Sequence, residues 1–422
     1  MGIEQAVNYQ LNKVPGVKKF IKRGYQIFCY ALSRKIKVEG DVQCVSPQDD
    51  NEYFFGYYDK SPWDASGRYM LCMRADDTWS DPAPSETADI LLIDLYDRST
   101  RIVATTRSWN VQQACMAQWL GPSYDSEIIY NDFRDDAYCS VVLNVTTGTE
   151  RVLPQPVYAV ASDGQTALTL DFSRLHTLRK GYGYSNAPDA TEGVKVPEGF
   201  CVWKMDVHSG AVAGLLTYQD IVEFEPRAEM AGATHKVNHL MINPSGTRFM
   251  VLHRWVKGQR KYTRLLTCSM DGTQLYNLSD DDMVSHCFWK SDDEIVAFEN
   301  KHESGPGYYL MKDMAPEYKH FWSELSNDGH PSYSPDRSRI VTDTYPDRAR
   351  IASVKLLDEA DPTGKDARIV ARVFAPFKYD NDTRCDLHPR WRRDGGAICF
   401  DAVFEGRRRL YVVGLGEDEE RC

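Results

Sequence analysis

At 422 residues, 42% hydrophobic and 26% charged with a mean hydropathy of −0.49, the chain has an ordinary water-soluble globular composition, which excludes collagen-like, largely disordered and multi-spanning membrane classes. Its 49 aromatic residues favour sheets and stacking surfaces over helix bundles, and a net charge of −11 argues against a general nucleic-acid binder. At about 150 residues per domain the length suits two or three domains, although closed all-β architectures run longer as one unit.

The first 37 residues break this average. They carry eight bases (Lys13, Lys18, Lys19, Lys22, Arg23, Arg34, Lys35 and Lys37) against the single acid Glu4, which leaves residues 38–422 at −18. Val17, Phe20, Ile21, Phe28, Ala31 and Leu32 recur at helical spacing opposite Lys18, Lys19, Lys22 and Arg23, which predicts a basic amphipathic helix. The segment is too short and too charged to span a bilayer, has no small-residue cleavage site, and places Ala6 where a myristoylation signal needs Ser or Thr. Two uses fit it equally: peripheral attachment to an anionic membrane, or packing against the protein's own body or a partner. Eleven cysteines stand singly with no CxxC pair, as expected of reduced thiols in a cytoplasmic protein, held at the inner membrane face if the helix attaches there.

From residue 63 onward a turn signal recurs seven times, each time before a β-rich apolar run. It begins at Trp63-Asp64-Ala65-Ser66-Gly67, Trp119-Leu120-Gly121-Pro122 and Ser162-Asp163-Gly164, and continues at Asn243-Pro244-Ser245-Gly246 and Trp289-Lys290-Ser291-Asp292. Ser334-Pro335-Asp336 and Trp391-Arg392-Arg393-Asp394-Gly395 complete the series. Seven units of about four strands, repeating on the order of 50 residues, predict a seven-bladed β-propeller as a single domain over 38–422, behind an N-terminal helix within 1–37. With no strand to spare after Leu415, the segment Lys35–Val45 is expected to donate one to the last unit.

Aligned on the residue before each turn, His239, His286, His330 and His388 share one register in four consecutive units, at the start of the innermost strand. Four imidazoles near one mouth of the channel call for a ligand or shared protons. Strand alternation places Asp328 beside His330 and Asp386 beside His388, a donor set suited to Zn²⁺ or Mn²⁺. The loops expected to rim the same mouth supply Arg74, Arg134, Arg174, His176, Arg179, Tyr182, Tyr184, His253, Arg254, Tyr345 and Arg348. Cations gathered around one opening of an acidic protein predict an anionic ligand.

FGYYDKSPWD (55–64 with its leading Phe), NHLMINPSG, SHCFW, DGHPSYSPD with TDTYPD, and DLHPRWRRDG with FDAVFEGRRRLYVV together resemble the β-propeller polysaccharide lyases of the oligogalacturonate and ulvan lyase group, over residues 50–415. That family cleaves uronate-containing glycans by β-elimination. The resemblance implies a divalent metal on His286, His330 and His388, with Asp386 standing where the oligogalacturonate lyases have a second histidine. It implies His239 as the base, with His235 as its local competitor; rim placement alone assigns Arg179 and Arg254 to neutralising the carboxylate and Tyr182 or Tyr184 to donating the proton. The ulvan lyases also place histidines in earlier units, where this chain has Met116 and Lys60. The expected activity is lyase cleavage of an anionic oligo- or polysaccharide. The alternative is a non-catalytic propeller that binds such a glycan or a biosynthetic partner around a structural metal. A glycoside hydrolase ranks last, because the inner register supplies histidines rather than two opposed carboxylates. No GxSxG elbow, P-loop or strand-linked GxGxxG is present.

Overall fold

The computed structural model describes residues 15–32 and 36–416, without the side chains of residues 15–20 and 22. Lys13, Arg34, Lys35 and Cys422, and the side chains of Val17, Lys18, Lys19, Phe20 and Lys22, lie outside what is described. Seven antiparallel sheets follow one another around a central channel as the blades of a β-propeller. Their inner strands are Glu52–Phe54, Gln118–Trp119, Ala159–Val160, Thr234–Ile242, Val284–Trp289, Ser332–Tyr333 and Arg390–Trp391.

Each predicted turn links an inner strand, or in blade 1 the isolated Trp63–Met70 bridge, to the strand outside it, and the turn chemistry is local. Asn243 Oδ1 accepts the backbone N–H groups of Thr247 and Arg248 at 2.9 and 3.0 Å; Asp64 Oδ1 does the same for Tyr69 at 2.9 Å. These carboxylate and amide oxygens replace the ladder partners that a reversing chain loses. The tryptophans of the repeat serve the neighbouring blade. Trp119, Trp289 and Trp391 donate their indole N–H to the carbonyls of Pro62, Met241 and Ser332, at 2.8, 3.0 and 3.1 Å. Every acceptor is the residue just before the equivalent position of the preceding blade, so the repeat is also the staple between blades.

Closure uses the N-terminal segment twice. Gln43–Cys44 pairs with Arg409–Gly414 and completes blade 7, as expected from the shortage of strands after Leu415. Val38–Glu39 pairs with Arg368–Phe374, which gives blade 6 a fifth, outermost strand. Helix α1 (Pro15–Leu32) lies next to this edge, with Tyr30 stacked on Phe374 at 5.0 Å and Arg23 ion-paired with Asp380. Among the described residues, no helix is long and apolar enough to cross a membrane. Blade 3 carries the insertion that matters for the site: between its second and third strands runs helix α2 (Phe172–Leu178), capped by Asp171, followed by the loop bearing Arg179 and Tyr182.

Candidate metal centre and cleft

The four register histidines do converge, and breaks in the inner strands aim them. Pairing shifts between Asn238 and Met241 and between Val284 and Cys287, while His239 and His388 adopt φ of 61° and 46°. Positive φ is strained for a histidine, so packing on both sides must hold these residues in place. The imidazoles of His286 and His330 lie with ring centroids 4.0 Å apart, and those of His330 and His388 4.3 Å apart.

Each of these three rings is fixed through Nδ1. His286 Nδ1 meets Asp328 Oδ1 at 3.1 Å, His330 Nδ1 meets Asp343 Oδ1 at 2.8 Å, and His388 Nδ1 donates to the Gly56 carbonyl at 2.9 Å. Asp328 therefore serves His286, not its strand neighbour His330 as alternation suggested, because the carboxylate reaches across to the adjacent blade. Gly56, at φ +124°, must be glycine: a Cβ there would sit 2.9 Å from the Gln113 carbonyl oxygen. Burial weighs against the charged form of His330, but the Asp343 carboxylate outweighs it and holds this imidazole's pKa above its ordinary value. Burial, and then the His330 charge, push His388 far down.

With the Nδ1 atoms engaged, His330 Nε2 and His388 Nε2 are buried without a hydrogen-bond partner, and so is Asp386 Oδ2. Asp386 Oδ1 is taken by Arg384 at 2.6 Å. His330, His388 and Asp386 each bring a ligand atom within 4.8 Å of the others. Three orphaned buried donors, two of them on imidazoles anchored from behind, fit a divalent cation such as Mn²⁺ or Zn²⁺. His286 stands beside this set.

His239 is held differently. Tyr58 Oη lies 2.7 Å from the Cys287 carbonyl and must donate its one proton there, so at 3.0 Å it accepts from His239 Nε2–H. His239 Nδ1 is then the acceptor, and Tyr57 Oη donates to it at 3.1 Å. Burial, followed by the neighbouring His286, drives the His239 pKa well below its usual value, in keeping with a neutral ring. The ring itself is enclosed by tyrosines; Tyr57 is the member of the pair that lines the cleft.

That cleft, of about 680 Å³, is lined by Tyr57, Arg179, Tyr182, Arg254, Lys261, His286, Asp328, Tyr345 and Arg384 among others. One wall is cationic without compensation. Arg254 is buried with Nε unpartnered, its pKa lowered by burial and then by Arg179. Burial, with Arg254 and Arg179 nearby, pushes Lys261 down to about 8. Lys236 behind them is lowered further by the same causes and donates to the Leu178 carbonyl at 3.2 Å. Among the described residues no carboxylate forms an ion pair with any of these four cations. Such an arrangement attracts an anion.

Of the residues read from sequence, Arg179, Arg254, Tyr182 and Tyr345 reach the cleft. The rest of the expected rim is withdrawn from it by better partners. Arg74 pairs with Asp89, and Arg134 with Asp132 and Glu150 at 2.7 and 2.9 Å. Arg174 is buried and donates to the carbonyls of His235 and Val194 at 2.7 and 3.0 Å. His235 and His253 form a buried relay 2.9 Å apart that ends on Arg264 and the Met230 carbonyl, so His235 is no rival to His239. Tyr184 stacks on Phe172 at 4.5 Å and accepts from Asn131; His176 is partly buried at the end of α2; Arg348 donates to Tyr25 on α1 at 3.1 Å. The sequence reading assigned no role to Tyr57, Tyr58, Asp343, Lys236, Lys261 or Arg384. The tyrosines had a signal in the adjacent pair inside FGYYDKSPWD, and Asp343 had one in TDTYPD.

The fold and site define a seven-bladed propeller with a candidate metal centre and a cationic cleft at one mouth. No protein-family model matches the chain, and no curated protein does. Among solved structures, an oligogalacturonate lyase from Vibrio parahaemolyticus is similar over 90% of this chain and 98% of its own, with a TM-score of 0.62 at 12% identity. An oligogalacturonate lyase in complex with manganese matches over 91% and 98% with a TM-score of 0.64 at 16% identity. A structure from a study of two prolyl endopeptidases matches 87% of this chain and 48% of its own, at 0.50 and 11%. At these identities the likeness is one of fold.

Proposed function

We propose that the protein is a carbon–oxygen lyase that cleaves a uronate-containing anionic glycan by β-elimination. The observation that carries this reading is a single cleft in which cations without a carboxylate partner (buried Arg254, half-buried Arg179 and exposed Lys261) stand with a tyrosine–histidine proton pair (Tyr57–His239). The propeller shared with oligogalacturonate lyases supports it. A uronate carboxylate seated on the cations has its developing enolate charge stabilised, which acidifies the C5 proton. Tyr57 Oη takes that proton as its own passes to His239 Nδ1. The C5–H electrons become the C4–C5 double bond, and the C4–O4 bond breaks with its pair on oxygen. Burial makes the His239 cation short-lived, and its proton returns through Tyr57 to the departing O4.

His330, His388 and Asp386 would hold a divalent metal, which supplies further Lewis-acid stabilisation of carboxylate charge. Arg384 keeps Asp386 oriented. The ten described cysteines are all unpaired, which supports a reducing, cytoplasmic setting.

The test is incubation of the protein, with Mn²⁺ or Zn²⁺, against a panel of uronate glycans while following ultraviolet absorbance of the new unsaturated product. A rise in absorbance is expected with at least one glycan. Binding without absorbance across the panel overturns the lyase reading in favour of a glycan-binding propeller.

A further inference from the structure

Helix α1 is mounted with its apolar side outward. Arg23, Gln26 and Tyr30, at i, i+3 and i+7, face the propeller: Arg23 pairs with Asp380, Gln26 lines the cleft, and Tyr30 packs on Phe374 and Phe377. On the opposite side Ile21, Phe28 and Leu32, at i, i+7 and i+11, form one stripe, with Tyr25 at its edge held by Arg348 of the propeller. The exposures of Ile21, Phe28 and Leu32 are 48, 60 and 72%. An apolar stripe turned to water, while a polar face meets the protein, inverts the pattern that stabilises a surface helix, and among the described residues nothing covers it.

The charge of the segment selects the occupant. Lys18, Lys19 and Lys22 belong to the same helix, and residues 1–37 carry +7 against −18 in the remainder. An anionic bilayer meets both features at once, because apolar side chains enter the acyl boundary while bases meet the headgroups. We infer that α1 is a peripheral docking element for an anionic lipid surface, bound through Ile21, Phe28 and Leu32. Because Gln26 and the Arg23–Asp380 pair sit at the edge of the cleft, docking places the cleft beside the bilayer. The docking itself does not depend on the activity proposed above.

The experiment is co-sedimentation of the full chain with vesicles of phosphatidylcholine alone or with about a third phosphatidylglycerol. Wild type is expected to pellet with the anionic vesicles and much less with the neutral ones, and to be released by high salt. Phe28→Glu with Leu32→Glu is expected to weaken anionic-vesicle binding at least about tenfold, with thermal unfolding unchanged because both side chains are exposed. Equal pelleting of variant and wild type overturns the proposal, as does failure of wild type to bind either vesicle. A dimer in gel filtration that the double variant splits, without vesicle binding, overturns it in favour of a second copy.

Discussion

Asp343 joins His330 to its neighbour across two blades. Its Oδ1 receives both Nδ1 and the backbone N–H of His330 at 2.8 Å, while its Oδ2 accepts the backbone N–H of His388 at 3.0 Å. One carboxylate therefore sets the angle of two imidazoles whose Nε2 atoms stay free.

Metal affinity is the first consequence. Substituting Asp343→Asn keeps an acceptor but removes the charge that orients His330, and Mn²⁺ or Zn²⁺ affinity by titration calorimetry is expected to fall about 10–100-fold. His388→Ala, which deletes a donor, is expected to abolish stoichiometric binding. Metal bound equally by all three proteins would dismiss this centre.

Proton transfer is the second. Tyr57→Phe removes the hydroxyl that donates to His239 Nδ1 and is expected to lower kcat about 10²–10⁴-fold with little change in KM. Tyr58→Phe leaves the Tyr57–His239 bond and is expected to have the smaller effect. An unchanged rate in Tyr57→Phe would move the chemistry elsewhere.

The third concerns pH. Lys261, pushed down to about 8, is charged below that pH and neutral above it, so cleft affinity for an anionic oligosaccharide should fall as pH rises through 8. Lys261→Met should bind more weakly at neutral pH and lose that step. Calorimetric affinities across neutral and alkaline pH decide it, and a step that persists in the variant assigns it to another group.

The fourth tests the ring. Asp401 is fully buried between Arg390 and Arg408, at 2.9 and 2.8 Å, and also accepts the Phe55 N–H. Asp401→Ala leaves two buried guanidinium groups uncompensated and is expected to destabilise the protein by about 3–5 kcal/mol in denaturant unfolding. A loss below about 1 kcal/mol would show that water or neighbours compensate the arginines.

The propeller was legible because its turns are chemical: Asn243, Asp64 and their equivalents satisfy local backbone groups, and such signals repeat in sequence as they do in space. The histidine register was legible for the same reason. The cleft was only partly so. Arg74, Arg134 and Arg254 look alike in sequence, and what separates them is whether a carboxylate lies in reach, as Asp89 does across the strand pair from Arg74 and Asp132 does two residues along the strand from Arg134, or none does. Asp343 stands inside TDTYPD, but its role was not legible because it lies on the second strand of its blade, 13 residues from His330, and works sideways between blades.

Val38–Glu39 and Gln43–Cys44 are made hundreds of residues before Arg368–Phe374 and Arg409–Gly414, the strands they complete. During synthesis these segments must wait with open edges while the blades form, and the circle locks only when its last strand arrives. Helix α1 emerges before any blade. A nascent chain could thus be tethered by its front end while the rest is still being built, and the latch and the tether would be one continuous piece of polypeptide.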